Sequence, residues 1–163
     1  MPYCLVGPTY VSPVAGAATR SLPASRILQN SASATPDLLF KLQLYTAPNS
    51  ARIAGTGTAT LMLGTPQAAQ SVWVAAAMGN GAPSGSNPVS MTVVFTDGTT
   101  QAFTPSVPDW FGGSGYVANN LGRVSRPTDR FDSTAGEPRI YQLELLLSAN
   151  YNKLIASVQF TKA

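Results

Sequence analysis

The chain has 163 residues, enough for one domain with its own core, and only 10% of them are charged. The formal net charge is +3 and Lys and Arg form no run, which argues against a nucleic-acid-binding surface. Histidine is absent and cysteine occurs once. These counts exclude Ser-His-Asp and Cys-His catalysis, His-ligated zinc and an internal disulfide.

The sequence carries no targeting or membrane signal that we recognise. No stretch approaches the roughly 18 apolar residues of a membrane-spanning helix. Residues 1–5 lack the basic and apolar regions of a signal peptide, so a secreted protein would be present here as a mature or excised domain. Cys4 is expected to be a buried or inert thiol, or half of a pair with a partner outside this chain.

Residues 1–37 are rich in Pro, Ala, Ser and Thr and predict edge strands and an N-terminal linker. An edge strand is expected within 3–10, interrupted by Gly7-Pro8, and another short strand at 26–28. A clearer strand follows, because alternate apolar residues share one face. These residues are Leu38, Phe40, Leu42 and Leu44.

Two further strands are predicted before the middle of the chain. Residues 58–63 alternate, with Gly55 and Gly57 marking a turn or bulge, and Gly64-Thr65-Pro66 is expected to end this strand. Residues 72–78 are apolar on both faces and predict a central strand covered from both sides, with a short helix as the alternative. Residues 79–88 predict a flexible loop.

A β-hairpin that leads into an aromatic loop is the clearest local signal. Val89, Met91, Val93 and Phe95 are expected to share one face, with Ser90, Thr92, Val94 and Thr96 on the other. Asp97-Gly98 then provides two residues that tolerate positive φ. A return strand is expected over 99–104, and the prolines at 105 and 108 end it. The segment DWFGG at 109–113 then places two large aromatic residues in a loop.

The last third of the chain begins with an irregular segment, 115–139, that has no sustained apolar period. Eight of the seventeen charged residues lie in or just after it: Arg123, Arg126, Asp129, Arg130, Asp132, Glu137, Arg139 and Glu144. Residues 140–147 predict a strand, 150–152 a turn, and the rest a final strand. The inward residues of these two strands are expected to be Tyr141, Leu143, Leu145 and Leu147, then Leu154, Ala156, Val158 and Phe160.

Together these patterns predict an all-β fold. Seven to nine strands with long loops are typical of an antiparallel two-sheet β-sandwich of the jelly-roll type, formed by a single domain over 1–163.

The ordered motifs FTDGTTQ, PDWFGGSGY, LGRV, EPRIYQLEL and SANYNKLIASVQFTK resemble a domain of secreted, cell-surface multidomain proteins. These proteins occur in bacteria that use the type IX secretion system. The resemblance spans about 38–163, and a more distant one is to galactose-binding-like jelly rolls. The resemblance to the domain of type IX secretion proteins implies an extracellular accessory module within a longer polypeptide, and it implies no activity.

The aromatic loop contains the candidate ligand-binding residues. Trp110, Phe111 and Tyr116 are candidates for a platform on which a sugar ring stacks. Hydrogen bonds to sugar hydroxyls would come from Asp109, Asn119, Asn120, Arg123 and Arg126. The alternative is structural, with Trp110 capping one end of the fold and Asp109 bonding backbone N–H groups in its own turn.

The charged residues of 123–144 also allow two interpretations. They form either a salt-bridge network that fixes a long loop or a site for an acidic sugar or a partner's carboxylates. No cofactor is predicted. Structural calcium and a glycosidase pair of acids are minor alternatives. Their candidate residues are Asp97, Asp109, Asp129, Asp132 and Glu137.

Two functions remain open at this point. The first is a non-catalytic extracellular binding or adhesion module that engages a glycan or cell-surface polysaccharide. The second is a structural or self-assembling unit in contact with neighbouring domains or with other copies. Low charge and an edge strand suit the second function, because few charges oppose contact.

Overall fold

The computed structural model describes residues 3–29, 38–47, 50–80, 87–132 and 136–162. These residues contain thirteen β-strands and one 3-10 turn of helix, η1 (Ser148–Asn150), so the predicted all-β class is confirmed. The short-helix alternative for 72–78 is wrong, because most of that segment is strand.

The strands pair antiparallel in five small sheets. In chain order they are β1 (Tyr3–Leu5), β2 (Val11–Ser12), β3 (Gly16–Ala17), β4 (Ile27–Gln29), β5 (Leu39–Lys41), β6 (Gly57–Gln67), β7 (Ser71–Ala76), β8 (Ser90–Phe95), β9 (Thr100–Phe103), β10 (Tyr116–Ala118), β11 (Arg123–Ser125), β12 (Ile140–Leu146) and β13 (Ile155–Lys162). The larger sheets have the orders β6-β13-β8-β9 and β10-β12-β7, and the remaining pairs are β1-β11, β2-β3 and β4-β5.

The β8–β9 hairpin forms as predicted. Gly98 has a φ of +81°, and the backbone N–H of Thr99 donates to Oδ1 of Asp97 at 2.9 Å. The alternating residues of β8 point into the core, where Met91, Val93 and Phe95 are at most 2% exposed. Strand β9 ends two residues before Pro105, in line with the missing N–H of proline.

Side chains of the two larger sheets meet in one hydrophobic core. The inward residues of β8 pack with Val107, with Leu145 of β12 and with Leu147, which directly follows β12. They also pack with residues of β13. Half-buried residues of β7, including Val72 and Val74, pack against this cluster. Burial of this apolar surface is the main favourable term for the fold.

At the start of β13, the residues that face the core differ from those predicted. Ile155 is 2% exposed whereas Leu154 is 48% exposed, so Leu154 does not face the core. A register shift between Ile155 and Ser157 explains the difference, because an extra residue in a strand moves the following side chains to the opposite face. Val158 lies inward as predicted.

Two predictions, one for strand β6 and one for strand β7, are also wrong. Strand β6 does not end at Gly64-Thr65-Pro66 but continues to Gln67, because it lies at a sheet edge, where a proline needs no partner for its nitrogen. Strand β7 lies at the end of its sheet and is half-buried, so it is not a central strand.

The segment 115–139 is more regular than expected, since it contains β10 and β11. Strand β11 pairs with β1, which fixes the N-terminal segment against the last third of the chain. Part of the predicted loop 79–88 and of the predicted linker 1–37 lies outside the described residues.

Candidate functional site

The aromatic loop is fixed to the rest of the fold by backbone hydrogen bonds. The N–H of Trp110 donates to the carbonyl of Met78 at 2.8 Å, and the N–H of Met78 donates to the carbonyl of Pro108 at 3.0 Å. The N–H of Arg139 in turn donates to the carbonyl of Trp110 at 2.9 Å. The loop thus joins the end of β7 to the start of β12 and is held at both sides.

Asp109 is 6% exposed and organises its own turn. Its Oδ1 accepts a hydrogen bond from the N–H of Phe111 at 3.0 Å. The Tyr141 hydroxyl donates to the Asp109 carbonyl at 2.7 Å and accepts from the N–H of Gly113 at 3.1 Å. Burial, the largest cause, raises the pKa of Tyr141 above its ordinary value, although the Gly113 bond opposes this change.

Arg123 lies at the centre of a cluster that we call the Arg123 cage, formed by Tyr3, Trp110, Phe111 and Asp132. The carbon of its guanidinium group is 4.2 Å from the Tyr3 ring centroid, 4.6 Å from that of Trp110 and 4.4 Å from that of Phe111. Its Nε donates to Oδ2 of Asp132 at 2.7 Å, and Nη2 donates to the same oxygen. Since Arg123 is 8% exposed, these contacts compensate a charge largely removed from water.

A second charged pair supports the loop beside the cage. Oε1 of Glu137 accepts from the N–H of Gly112 at 2.7 Å and lies 3.0 Å from Nη2 of Arg139. Arg139 also donates to the carbonyl of Gly113, and its guanidinium lies 5.1 Å from the Tyr116 ring centroid. These charges therefore hold the loop, as the salt-bridge interpretation expects.

The N-terminal segment covers the same region from the other side. Nη1 of Arg20 donates to Oδ1 of Asn120 at 2.9 Å, and Nη2 donates to the carbonyl of Asp132 at 2.7 Å. Tyr10 donates to Asp129 at 3.3 Å, and burial, followed by the Asp129 carboxylate, raises the pKa of Tyr10. All three contacts join residues that are at least 100 positions apart in the sequence.

The structure brings only some of the predicted site residues together. Asp109, Trp110 and Arg123 lie in one buried region, and Trp110 is 9% exposed. Tyr116 is half-buried beside Arg139, whereas Asn119 and Arg126 are exposed. Tyr3, Arg20 and Asp132 complete the region. No local sequence pattern indicates the role of Tyr3 or Arg20, which long-range contacts place there, whereas Asp132 belongs to the charged residues expected to form a salt-bridge network.

The acidic residues do not gather as metal ligands do. Among the described residues, no group of three or more His, Cys, Asp or Glu side chains is arranged to hold a metal ion. Each described carboxylate instead accepts a hydrogen bond, from the backbone, a hydroxyl group or Arg123.

A shallow depression of about 210 Å³ lies at the opposite end of β12 from the aromatic loop. It is lined by Gln70, Leu146, Ser148 and Tyr151. Leu146 is 56% and Tyr151 57% exposed, so this depression presents an accessible aromatic ring.

Comparison of the chain with protein-family models, with curated proteins and with solved structures gave no match. Within the described ranges, none of the helices is long and apolar enough to cross a membrane.

Proposed function

We propose that this protein is a non-catalytic structural module that joins other polypeptides through a free sheet edge. The observation that carries the proposal is strand β6. It runs for eleven residues at the edge of the four-stranded sheet and contains no charged residue, and nine of its residues are exposed. Natural proteins usually shorten or charge such edges, because unpaired backbone groups recruit further strands.

The burial and pairing of the acidic residues support the proposal that the module is non-catalytic. A general acid or base needs a carboxylate that reaches a substrate, yet Asp109 and Glu137 are at most 8% exposed. Asp132 is paired with Arg123, and Asp97 with Lys153 and Thr99. These four acids are therefore engaged in holding turns and loops.

The proposed setting is an extracellular assembly. The shared core of the two larger sheets supports a two-sheet sandwich of the jelly-roll type. The resemblance of 38–163 to modules of type IX secretion proteins supports a cell-surface location with neighbouring domains. The low content of charged residues, 10% of the chain, suits such close packing.

A second candidate function is glycan binding. The depression beside Tyr151 favours it, because an exposed ring next to the polar side chains of Gln70 and Ser148 suits a sugar. Stacking on Trp110 is disfavoured, because Arg123 lies against that ring and the side chain is buried. Tyr116 retains partial exposure beside Arg139.

The two functions are separated by measuring self-association and glycan binding on the same preparation. We expect sedimentation velocity to show a mass that rises with protein concentration, and a glycan array to show no selective binding. A chain that stays monomeric at every concentration and binds one glycan class, with loss of binding in Tyr151→Ala or Tyr116→Ala, would overturn the structural proposal. Tyr45→Ala would not serve as a control, because Tyr45 bonds the carbonyl of Pro23. Leu39→Ala, at a residue that is 53% exposed, is the matched control.

A further inference from the structure

We propose that the partner of strand β6 is the same strand of a second copy, paired antiparallel about a two-fold axis at Thr60. This inference rests on the proposed function, and it names the partner and the register. The two four-stranded sheets would then form one continuous sheet of eight strands, with the inner face of each copy continuing into the other.

The first support is the state of the edge. On one side, β6 pairs with β13 in regular register from Gly57 to Met62. On the other side, no strand of the described chain pairs with it. Leu61 and Met62 are 47% and 72% exposed there. An uncharged partner is favoured, since β6 has no charged residue that could form an ion pair with a charged strand.

The second support is an apolar side chain that the single copy leaves uncovered. Leu61 lies directly opposite Val158, so both side chains share the core face of the sheet. Val158 is 4% exposed, but Leu61 is 47% exposed because no strand lies beyond it in the described chain. In the proposed pair, Ala59 of the partner subunit would lie against Leu61 and remove it from water.

The register follows from symmetry and from the irregular end of β6. A two-fold axis normal to the sheet keeps each side chain on its face, so residue pairs must be separated by an even number of positions. Residues 63–66 of β6 lie opposite a register shift in β13, and Pro66 has no N–H to donate. Gly57 has a φ of +146°, which is not an extended conformation, so the regular part is 58–62 and its centre is Thr60. A five-residue pairing of this kind extends for about 17 Å.

The other sheet edges are less suitable. Strand β9 has four residues, and the side chain of Gln101 in it donates to the carbonyl of Leu146 at 3.1 Å. Strand β7 is half-buried throughout its length. Strand β6 is thus the longest and most exposed edge in the described chain.

The role of the β6 edge in association is tested with two variants, each of which adds one positive charge at a different position. Met62→Lys puts an ammonium group on β6, while Leu146→Lys makes the matched change on β12, where the side chain is 56% exposed. Sedimentation velocity is expected to show at least tenfold weaker association for Met62→Lys and wild-type association for Leu146→Lys. Association that Met62→Lys leaves unchanged would overturn this inference and the proposed function together, because both depend on the β6 edge. A wild-type chain that is monomeric throughout and binds no glycan would overturn this inference alone, since the proposed function allows another polypeptide as the partner.

The register is tested with nitroxide labels in a Cys4→Ser background, which removes the exposed native thiol. Labels at Thr60→Cys are expected to show the strongest dipolar broadening, because the axis brings this residue against its equivalent. Labels at Met62→Cys would be attached about 14 Å apart along the strand direction, so their spectra should show less dipolar broadening. Stronger broadening at Met62 than at Thr60, or none at either position in the associated protein, would overturn the proposed pairing.

Discussion

The guanidinium of Arg123 stacks on the ring of Trp110, with 4.6 Å between its central carbon and the ring centroid. The two residues are 8% and 9% exposed, so each covers the other. The residues that suggest a ligand platform in the sequence therefore form an internal contact in the fold. This contact ties the aromatic loop to β11, and through β11 to the N-terminal strand β1.

Replacing Arg123 by lysine is expected to destabilise the protein by about 2 kcal/mol. Lysine keeps the positive charge but loses the planar group that contacts three rings and bonds Asp132 through two nitrogens. Equilibrium unfolding in urea would measure the loss. Arg126→Lys, at an exposed residue that directly follows β11, is expected to leave the midpoint unchanged. Equal midpoints for Arg123→Lys and wild type would mean that the cage contributes little to stability.

Gly122→Ala is expected to cost about 2 kcal/mol or more and to loosen the N-terminal segment. A Cβ at Gly122 would overlap the carbonyl oxygen of Arg20, and Val6 donates a backbone hydrogen bond to Gly122 at 3.0 Å. Limited proteolysis should then cleave before residue 29 faster than in the wild type. Gly64→Ala is the matched control, since a Cβ there meets no atom within 4 Å. Cleavage at the same rate in all three proteins would contradict the expected contact.

The sequence predicts the hairpin well because its determinants are local. Asp97-Gly98 sets the turn, and the apolar residues at every second position from Val89 to Phe95 set the inward face. The Arg123 cage has no such signal for Tyr3, which reaches Arg123 only through the pairing of β1 with β11. Asp132 lies nine positions from Arg123, and only the clustering of charges in this segment indicates their ion pair.

The phase of β13 and the length of β6 are not predictable from local patterns either. A register shift moves Ile155 into the core in place of Leu154, and period-two alternation does not contain this information. Pro66 indicates an end to β6 only if the strand has partners on both sides. Its edge position is a property of the whole sheet.

Tyr141→Phe is expected to cost about 1–3 kcal/mol, because it leaves two buried backbone groups without their partner. The hydroxyl both donates to the carbonyl of Asp109 and accepts from the N–H of Gly113, and Tyr141 is 1% exposed. Thermal and urea unfolding would measure the change. Tyr151→Phe removes a hydroxyl from a side chain that is 57% exposed and should alter stability by less than about 0.5 kcal/mol. Similar losses of stability in both variants would show that the buried Tyr141 hydroxyl stabilises the fold no more than an exposed hydroxyl does.

Asp97 is expected to make stability depend on pH in the acid range. Hydrogen bonds from the Thr99 side chain and backbone, and then the Lys153 ammonium, lower the pKa of Asp97 to about 2. Because this folded-state pKa lies below the unfolded value of about 3.9, the contribution is present above pH 4 and is lost as the pH falls towards 2. Urea midpoints measured from pH 5 to pH 2 should therefore fall less steeply for Asp97→Asn, whose Asn-Gly sequence retains the hairpin turn.

The matched variant for this measurement is Lys153→Met. It removes the ion pair at 3.0 Å but keeps both hydrogen bonds from Thr99, which are the largest causes of the lowered pKa. Most of the wild-type slope between pH 4 and pH 2 should remain in Lys153→Met. If Asp97→Asn instead follows the wild-type curve, the acid sensitivity of this fold arises from another carboxylate. A curve for Lys153→Met as flat as that of Asp97→Asn would assign the effect to the ammonium group rather than to the Thr99 turn.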